Sequence, residues 1–376
     1  MSCSGWDPPE ETSRVLVTGG YGFVGSHLAE HLHKNGWDVV VTDLESSRRD
    51  IYYTSRKEPT GGDMPEPSHF ESVLDQFNIE FIPADLTERD EVERLFGQGG
   101  PYDVVFHTAS LYDYFAERDI LDKVNVEGGR NIASIALENG IRHFVHWSTL
   151  GVCGGSESES EPILEDAEYN PHNRYGESKV EQERMMFDFA ENGLPLTVLR
   201  PAPVYGPRHT YGIYHLFYLY RKVGTGFVWP IYPRNEQLHF PSVHVSDVVR
   251  AAEFVTHHRP ETLGEVYHVA SDPILQDEFI EFMTEALGLR RRRIPMPWPL
   301  YRLIANRLID IAKILEQRAR KNDTRPKFPM SMAQYLTRDF WYVSDKLRSL
   351  GFEFKYRDPR RGLWDYVTWC KERGLL

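Results

Sequence analysis

Cysteine is scarce: Cys3, Cys153 and Cys370 are the three in a chain of 376 residues. An odd count without metal-ligand spacing offers no disulfide framework and no metal site, and it fits a reducing compartment. Long apolar runs are missing as well, so no transmembrane helix is expected. Residues 1–13 are polar, acidic and proline-containing, unlike a secretory leader, and read as a flexible tail. These absences point to a cytoplasmic protein.

Positive charge is also short, with 43 Lys and Arg against 56 Asp and Glu for a net −13. The shortage is uneven. Residues 290–327 hold nine Arg and three Lys against three acids, an excess of +9 that leaves −22 for the rest. Inside this basic island Leu300, Ile304, Leu308, Ile311 and Leu315 recur at helical spacing, with Arg302, Arg307, Lys313 and Arg318 between them. A helix over 297–320 could make peripheral contact with an anionic membrane, or pack its stripe on the rest of the chain or on a second subunit. Nucleic acid is not expected, because no reading motif accompanies the charge.

What is present begins with glycine. The apolar run from Val15 to Val17 reads as a buried strand, and Gly19, Gly22 and Gly25 then open a helix through Leu28, Ala29 and Leu32. This spacing is that of a dinucleotide-binding turn. The first glycine allows the reversal, the second lets backbone approach a pyrophosphate, and the third lets the helix pack on the sheet. A second strand ends at Asp43, 18 residues past Gly25, where a carboxylate can accept both ribose hydroxyls of NAD and repel the 2'-phosphate of NADP. Arg48 and Arg49 follow closely and could fold back onto such a phosphate.

Strand and helix patterns alternate, with strands expected at 14–18, 38–43, 80–84, 103–108, 143–148 and 195–200. The fold class is α/β: a Rossmann-type doubly wound parallel sheet with a smaller, mainly helical C-terminal substrate lobe. Residues 14–200 form the NAD-binding part, 242–272 return to it, and 201–241 with 273–376 make the lobe. The polar stretches 45–69 and 157–168 read as an exposed loop and a solvated face.

Tyr175 and Lys179, four residues apart in a helix expected over 175–190, emerge on one face. A tyrosine titrates near 10, so a neighbouring cation is needed for it to work as a general acid/base at neutral pH. Thr149, at the end of the fifth strand, has a hydroxyl that can bond the reacting oxygen, since strand C-termini face the ligand crevice in such sheets.

With these pieces the chain resembles the extended short-chain dehydrogenase/reductase superfamily, of the NAD-dependent epimerase/dehydratase type, over essentially its whole length. The matching stretches are Thr18-Gly-Gly-Tyr-Gly-Phe-Val-Gly25, Asp85-Leu86, Val105-Phe-His-Thr-Ala-Ser110, Val124-Asn-Val-Glu-Gly128, Ser148-Thr149, Tyr175-Gly-Glu-Ser-Lys179 and Arg200-Pro-Ala-Pro-Val-Tyr-Gly-Pro207. The resemblance implies that Thr149, Tyr175 and Lys179 are catalytic, with Asn125 in a structural, helix-stabilising or proton-relay role. It implies that Phe23, Val24, Ala109, Pro201 and Val204 join Gly19, Gly22, Gly25, Asp43, Tyr175 and Lys179 around NAD, with Asp85 and Leu86 flanking the adenine. It also implies a homodimer through two long central helices.

The resemblance bears on the substrate too. Nucleotide-sugar enzymes of the superfamily commonly carry an asparagine where this chain has Pro203, and an arginine where it has Phe240. Losing both removes charge-assisted donors for a diphosphate, although Arg208 or Arg234 could compensate. Aromatic residues crowd the same region, and Tyr112, Tyr211, Tyr214 and Phe240 are the candidates for a wall that suits a small hydrophobic substrate. The branch most resembled holds 3β-hydroxysteroid dehydrogenases and sterol-4-carboxylate 3-dehydrogenases, whose layout is similar at Ile294-Pro-Met-Pro-Trp-Pro299 and Phe340-Trp-Tyr-Val-Ser-Asp345. The expectation is NAD-dependent oxidation of a secondary alcohol, a 3β-hydroxysteroid or sterol, with decarboxylation if the sterol carries a 4-carboxylate. The alternatives are a nucleotide-sugar epimerase or dehydratase, and a non-catalytic NAD-binding scaffold.

Overall fold

The computed structural model describes residues 13–49, 73–156, 161–209, 213–214, 216–217, 221, 231–233, 238–259, 261–289, 294–322, 324 and 330–376. Its centre is a parallel sheet of seven strands: β1 Arg14–Thr18, β2 Asp38–Thr42, β3 Glu80–Phe81, β4 Val104–His107, β5 His143–Trp147, β6 Leu196–Pro201 and β7 Val266–Val269. The strand order is β7-β6-β5-β4-β1-β2-β3. Most strands are short apolar runs buried on both faces, as a parallel sheet covered by helices requires. The chain winds outward from β1 to β3, then crosses to β4 on the other side, so the order reverses between β1 and β4. Ligands bind at such a switch point, outside the carboxyl ends of the strands.

Successive side chains of β1 go to opposite layers. Val15 and Val17 pack with Leu28, Ala29 and Leu32 of α1 (Phe23–Lys34) and Val248 and Ala252 of a later helix on the same side (Val245–His257). Leu16 packs with Val92, Ile132 and Met186 on the other side. Those three come from α2 (Arg89–Gly99), α3 (Gly128–Glu138) and α4 (Arg174–Glu191). The Val245–His257 helix is α5.

The C-terminal part is helical, with α6 Gln276–Ala286, α7 Trp298–Lys321 and α8 Pro359–Glu372. Tyr214, Phe217, Phe279, Tyr366 and Val367 form its core. The fold class is therefore the one expected: a Rossmann-type α/β sheet with a helical C-terminal region. The seventh strand was not picked out by pattern, because Val266-Tyr-His-Val269 is short and lacks alternation. No described helix is long and apolar enough to cross a membrane.

Candidate active site

The glycine turn lies where β1 ends. Gly19 has φ +68°, and a Cβ there would sit 2.9 Å from Ala109 Cα. A Cβ on Gly25 would fall 2.0 Å from the Gly19 carbonyl oxygen, so only glycine lets α1 start this close to the turn. No side chain caps α1, and its first turn holds no acidic residue. Its leading N–H groups thus remain for an anion, the feature a pyrophosphate needs. Asp43 accepts from Tyr21 N at 3.1 Å and Leu44 N at 2.8 Å, which sets its carboxylate beside the turn, and burial raises its pKa. These residues fit a bound dinucleotide.

One cavity is lined by Gly19, Gly22, Phe23, Val24 and Gly25 and also by Thr149, Tyr175 and Lys179. The Asn173 side chain accepts from Gly176 N at 2.8 Å and starts α4 just ahead of Tyr175. The Tyr175 ring is held edge-on by Tyr112 at 5.1 Å and Tyr114 at 5.5 Å, whose hydroxyls are 3.0 Å apart. Burial pushes the Tyr175 phenol above its ordinary pKa, and a hydrogen bond with Ser110 works against that shift. Thr149 Oγ1 accepts from Gly151 N at 3.1 Å, which leaves its own proton to be donated.

Lys179 is fully buried beneath the strand ends. Its Nζ donates to the Trp147 carbonyl at 2.6 Å and to Gln182 Oε1. Gln182 Nε2 lies 3.3 Å from His107 Nε2, and His107 Nδ1 lies 2.9 Å from Thr18 Oγ1. Burial pulls the Lys179 pKa down to about 7, with Glu183 opposing that shift. The lysine charge expected to favour a Tyr175 phenolate is therefore only partial at neutral pH in the protein alone. Desolvation in this interior drives both groups toward their neutral forms.

Asn125 lies in a π-helical turn, Asp122–Glu127, before α3. Its Oδ1 accepts from Ser110 Oγ at 3.1 Å and Leu111 N at 2.7 Å, while Nδ2 donates to Ser178 Oγ at 3.1 Å. It joins the Ser110 loop to α4 and does not line the cavity. Pro201 and Val204 do line it, and Ala109 abuts Gly19, with its N–H donating to Thr18 Oγ1. Asp85 accepts from Thr87 N and Oγ1, and the Leu86 carbonyl accepts from Asn131 Nδ2; both stand outside the cavity lining.

Among the substrate candidates, Tyr112 lines the cavity. Tyr214 does not: it is fully buried in the C-terminal core, with its hydroxyl donating to the Leu375 carbonyl. Phe240 stacks on Phe279 at 4.2 Å and is likewise packing. Tyr211 and Arg234 lie outside the described residues. Arg208 is turned away onto α1, with its guanidinium 2.9 Å from Glu30 and 3.3 Å from His27. The residues that pattern reading missed are Ser110, Tyr114, Tyr335, Phe340 and Tyr342, all in the cavity wall. Ser110, Phe340 and Tyr342 stand within stretches that carry the resemblance, without a role assigned to them; Tyr114 and Tyr335 carry no local signal.

This sheet order, with a glycine turn at the switch point and Thr149, Tyr175 and Lys179 in the same cavity, defines the protein as a dinucleotide-binding Rossmann protein by class. Residues 15–270 match the NAD dependent epimerase/dehydratase family, and the chain belongs to it. NAD is accordingly its cofactor. The chain is 33% identical to a UDP-N-acetyl-alpha-D-glucosaminuronate decarboxylase of Bacillus cytotoxicus over 54% of this chain and 57% of that enzyme. It is 26% identical to 3beta-hydroxysteroid-dehydrogenase/decarboxylase isoform 2 of Arabidopsis thaliana over 76% of this chain and 50% of that one. Both matches thus span about half of the relative's own length. The crystal structure of a UDP-glucose 4-epimerase from Thermotoga maritima shares the fold, with TM-score 0.67 and 22% identity over 96% of this chain and 99% of that one.

Proposed function

We propose that the protein is an NAD-dependent dehydrogenase acting on a secondary alcohol of a hydrophobic substrate, best matched by the 3β-hydroxyl of a steroid or sterol. The observation that carries this reading is the cavity wall. Among its described residues Lys179 is the one Lys, Arg, Asp or Glu, and Tyr112, Tyr114, Trp147, Tyr335, Phe340 and Tyr342 are among the rest. Such a wall suits a flat apolar body, and among its described residues Lys179 is the one fixed cation a diphosphate would meet.

NAD, when bound, supplies the hydride acceptor. Thr149 donates its hydroxyl proton to the substrate oxygen and fixes its position. Tyr175, as phenolate, takes the alcohol proton. Lys179 in its charged form holds one more N–H than its two protein acceptors use, and its charge favours the phenolate. Asn125 acts through Ser110 and α4 as a positioning residue.

The test is reduction of NAD, followed by nicotinamide absorbance, with 3β-hydroxysteroids, 4-carboxysterols and nucleotide sugars as substrates. A steroid or sterol should be oxidised, and Tyr175→Phe should lower turnover by about 10² to 10⁴ while leaving NAD affinity nearly unchanged. Near-normal turnover in that variant would overturn the role of Tyr175. One observation favours a second reading, a nucleotide-sugar enzyme: the 33% identity to the Bacillus cytotoxicus decarboxylase. Conversion of a nucleotide sugar without net cofactor reduction, with every sterol silent, would replace the first reading by an epimerase or dehydratase.

A further inference from the structure

We propose that the outer face of α7 docks on an anionic lipid surface. Helix α7 buries Tyr301, Ala305, Ala312 and Ala319 against the rest of the chain. Its larger apolar residues face outward: Leu300, Leu303, Ile304, Leu308, Ile311 and Ile314 are 36–56% exposed. At 3.6 residues per turn these six span about 140° of the helix, roughly a quarter turn from the buried alanines. A helix normally buries its large apolar stripe, and this one turns it away.

The charge on the same helix selects the occupant. Arg318 interrupts the stripe and Lys321 borders it; both are exposed and make no ion pair among the described residues, and Arg307, also within the stripe, has Asp310 3.6 Å away. A twofold contact with a second copy would set these like charges against one another. An anionic headgroup layer neutralises them while the stripe enters the acyl boundary.

The helix that carries this face is also tied to the cleft, from its other side. At the end of α7, Arg320 pairs with Glu117, donates to the Phe115 carbonyl at 3.1 Å and lies 4.3 Å from the Phe115 ring centroid. Glu117 pairs in turn with Arg174, the residue before Tyr175. The same loop carries Tyr112 and Tyr114 against the Tyr175 ring. Docking would therefore hold this wall of the cleft within about one helix diameter of the lipid surface, where a lipophilic alcohol resides. That consequence rests on the substrate reading above; the docking itself does not.

The full chain would be sedimented with vesicles of phosphatidylcholine alone and of phosphatidylcholine with phosphatidylglycerol. The expected result is binding to the anionic vesicles only. Leu303→Asp with Ile311→Asp should reduce the affinity at least about tenfold, and Arg307→Gln with Arg318→Gln and Lys321→Gln should do the same. Retained NAD binding reports that each variant is folded, and the wild-type preference for anionic vesicles reads out without any variant. Absence of binding to either vesicle, equal binding to both, or full binding by the Asp variant would overturn the proposal. So would a wild-type dimer that the Asp variant dissociates while vesicles leave the wild type unbound. Sterol turnover without vesicle binding would remove the docking and leave the cleft reading intact.

Discussion

A single buried amine governs much of the site's electrostatics. Lys179 is 1% exposed and its pKa is pulled down to about 7 by burial, whereas the unfolded chain holds that proton to about pH 10.4. Below about pH 7 both states carry the proton, and the folded state bears the full cost of a buried charge. Between about 7 and 10.4 the unfolded state binds more protons, so this contribution to stability improves as pH rises. Lys179→Met should therefore be more stabilising in acid than in base. Its advantage over the wild type should shrink by roughly 3 kcal/mol between about pH 6 and about pH 9.5 in urea unfolding. A constant difference would mean that the lysine keeps its ordinary proton affinity. Tyr175, Lys179 and Thr149 could be singled out by spacing and by a strand end. The partners of Lys179 could not, because Trp147 is 32 positions away and His107 enters through Gln182 from 75 positions away.

At the level of elements, the glycine turn separates folding from cofactor binding. A Cβ on Gly22 would lie 3.0 Å from the Gly19 oxygen, and this residue has an ordinary extended φ of −74° on the cavity wall. A Cβ on Gly25 would lie 2.0 Å from that oxygen, beneath the start of α1. Gly22→Ala should fold with little loss of stability and weaken NAD at least about tenfold by crowding the pyrophosphate position. Gly25→Ala should destabilise by more than about 3 kcal/mol, because backbone must move. Thermal melts with NAD titration calorimetry distinguish the two, and equal loss of stability in both would contradict the assigned division. This turn and the first six strands were legible because local pattern specifies them. Strand β3 shrank from the expected 80–84 to Glu80–Phe81, since parallel pairing with β2 extends only to Val40 and Val41. The stripe of α7 was legible as a helix. Its direction was not, because the face buried is the one with small residues, Ala305, Ala312 and Ala319.

Across the whole molecule, the cavity is completed by contacts that no local pattern announces. The C-terminal segment returns to the stretch that follows β5, where Ser156 bridges to Asp339 and Ile163 to Tyr342. The buried Tyr342 hydroxyl lies 3.0 Å from the Leu150 carbonyl and also reaches the Gly154 carbonyl, each about 190 positions away in sequence. This clasp braces the 3₁₀ turn Leu150–Val152, which Thr149 caps. Tyr342 also lines the cavity, so the last part of the chain both supports the turn that Thr149 caps and forms part of the cavity wall. Tyr342→Phe keeps the ring and removes only the hydroxyl, leaving buried carbonyls without that donor. The expected cost is about 1 to 3 kcal/mol in denaturant unfolding. Because the braced turn positions Thr149, turnover should also fall while NAD affinity holds, since the glycine turn and Asp43 make no contact with Tyr342 among the described hydrogen bonds. A variant with wild-type stability and turnover would show that the turn stands without the clasp, and that the C-terminal segment contributes only surface to the cleft.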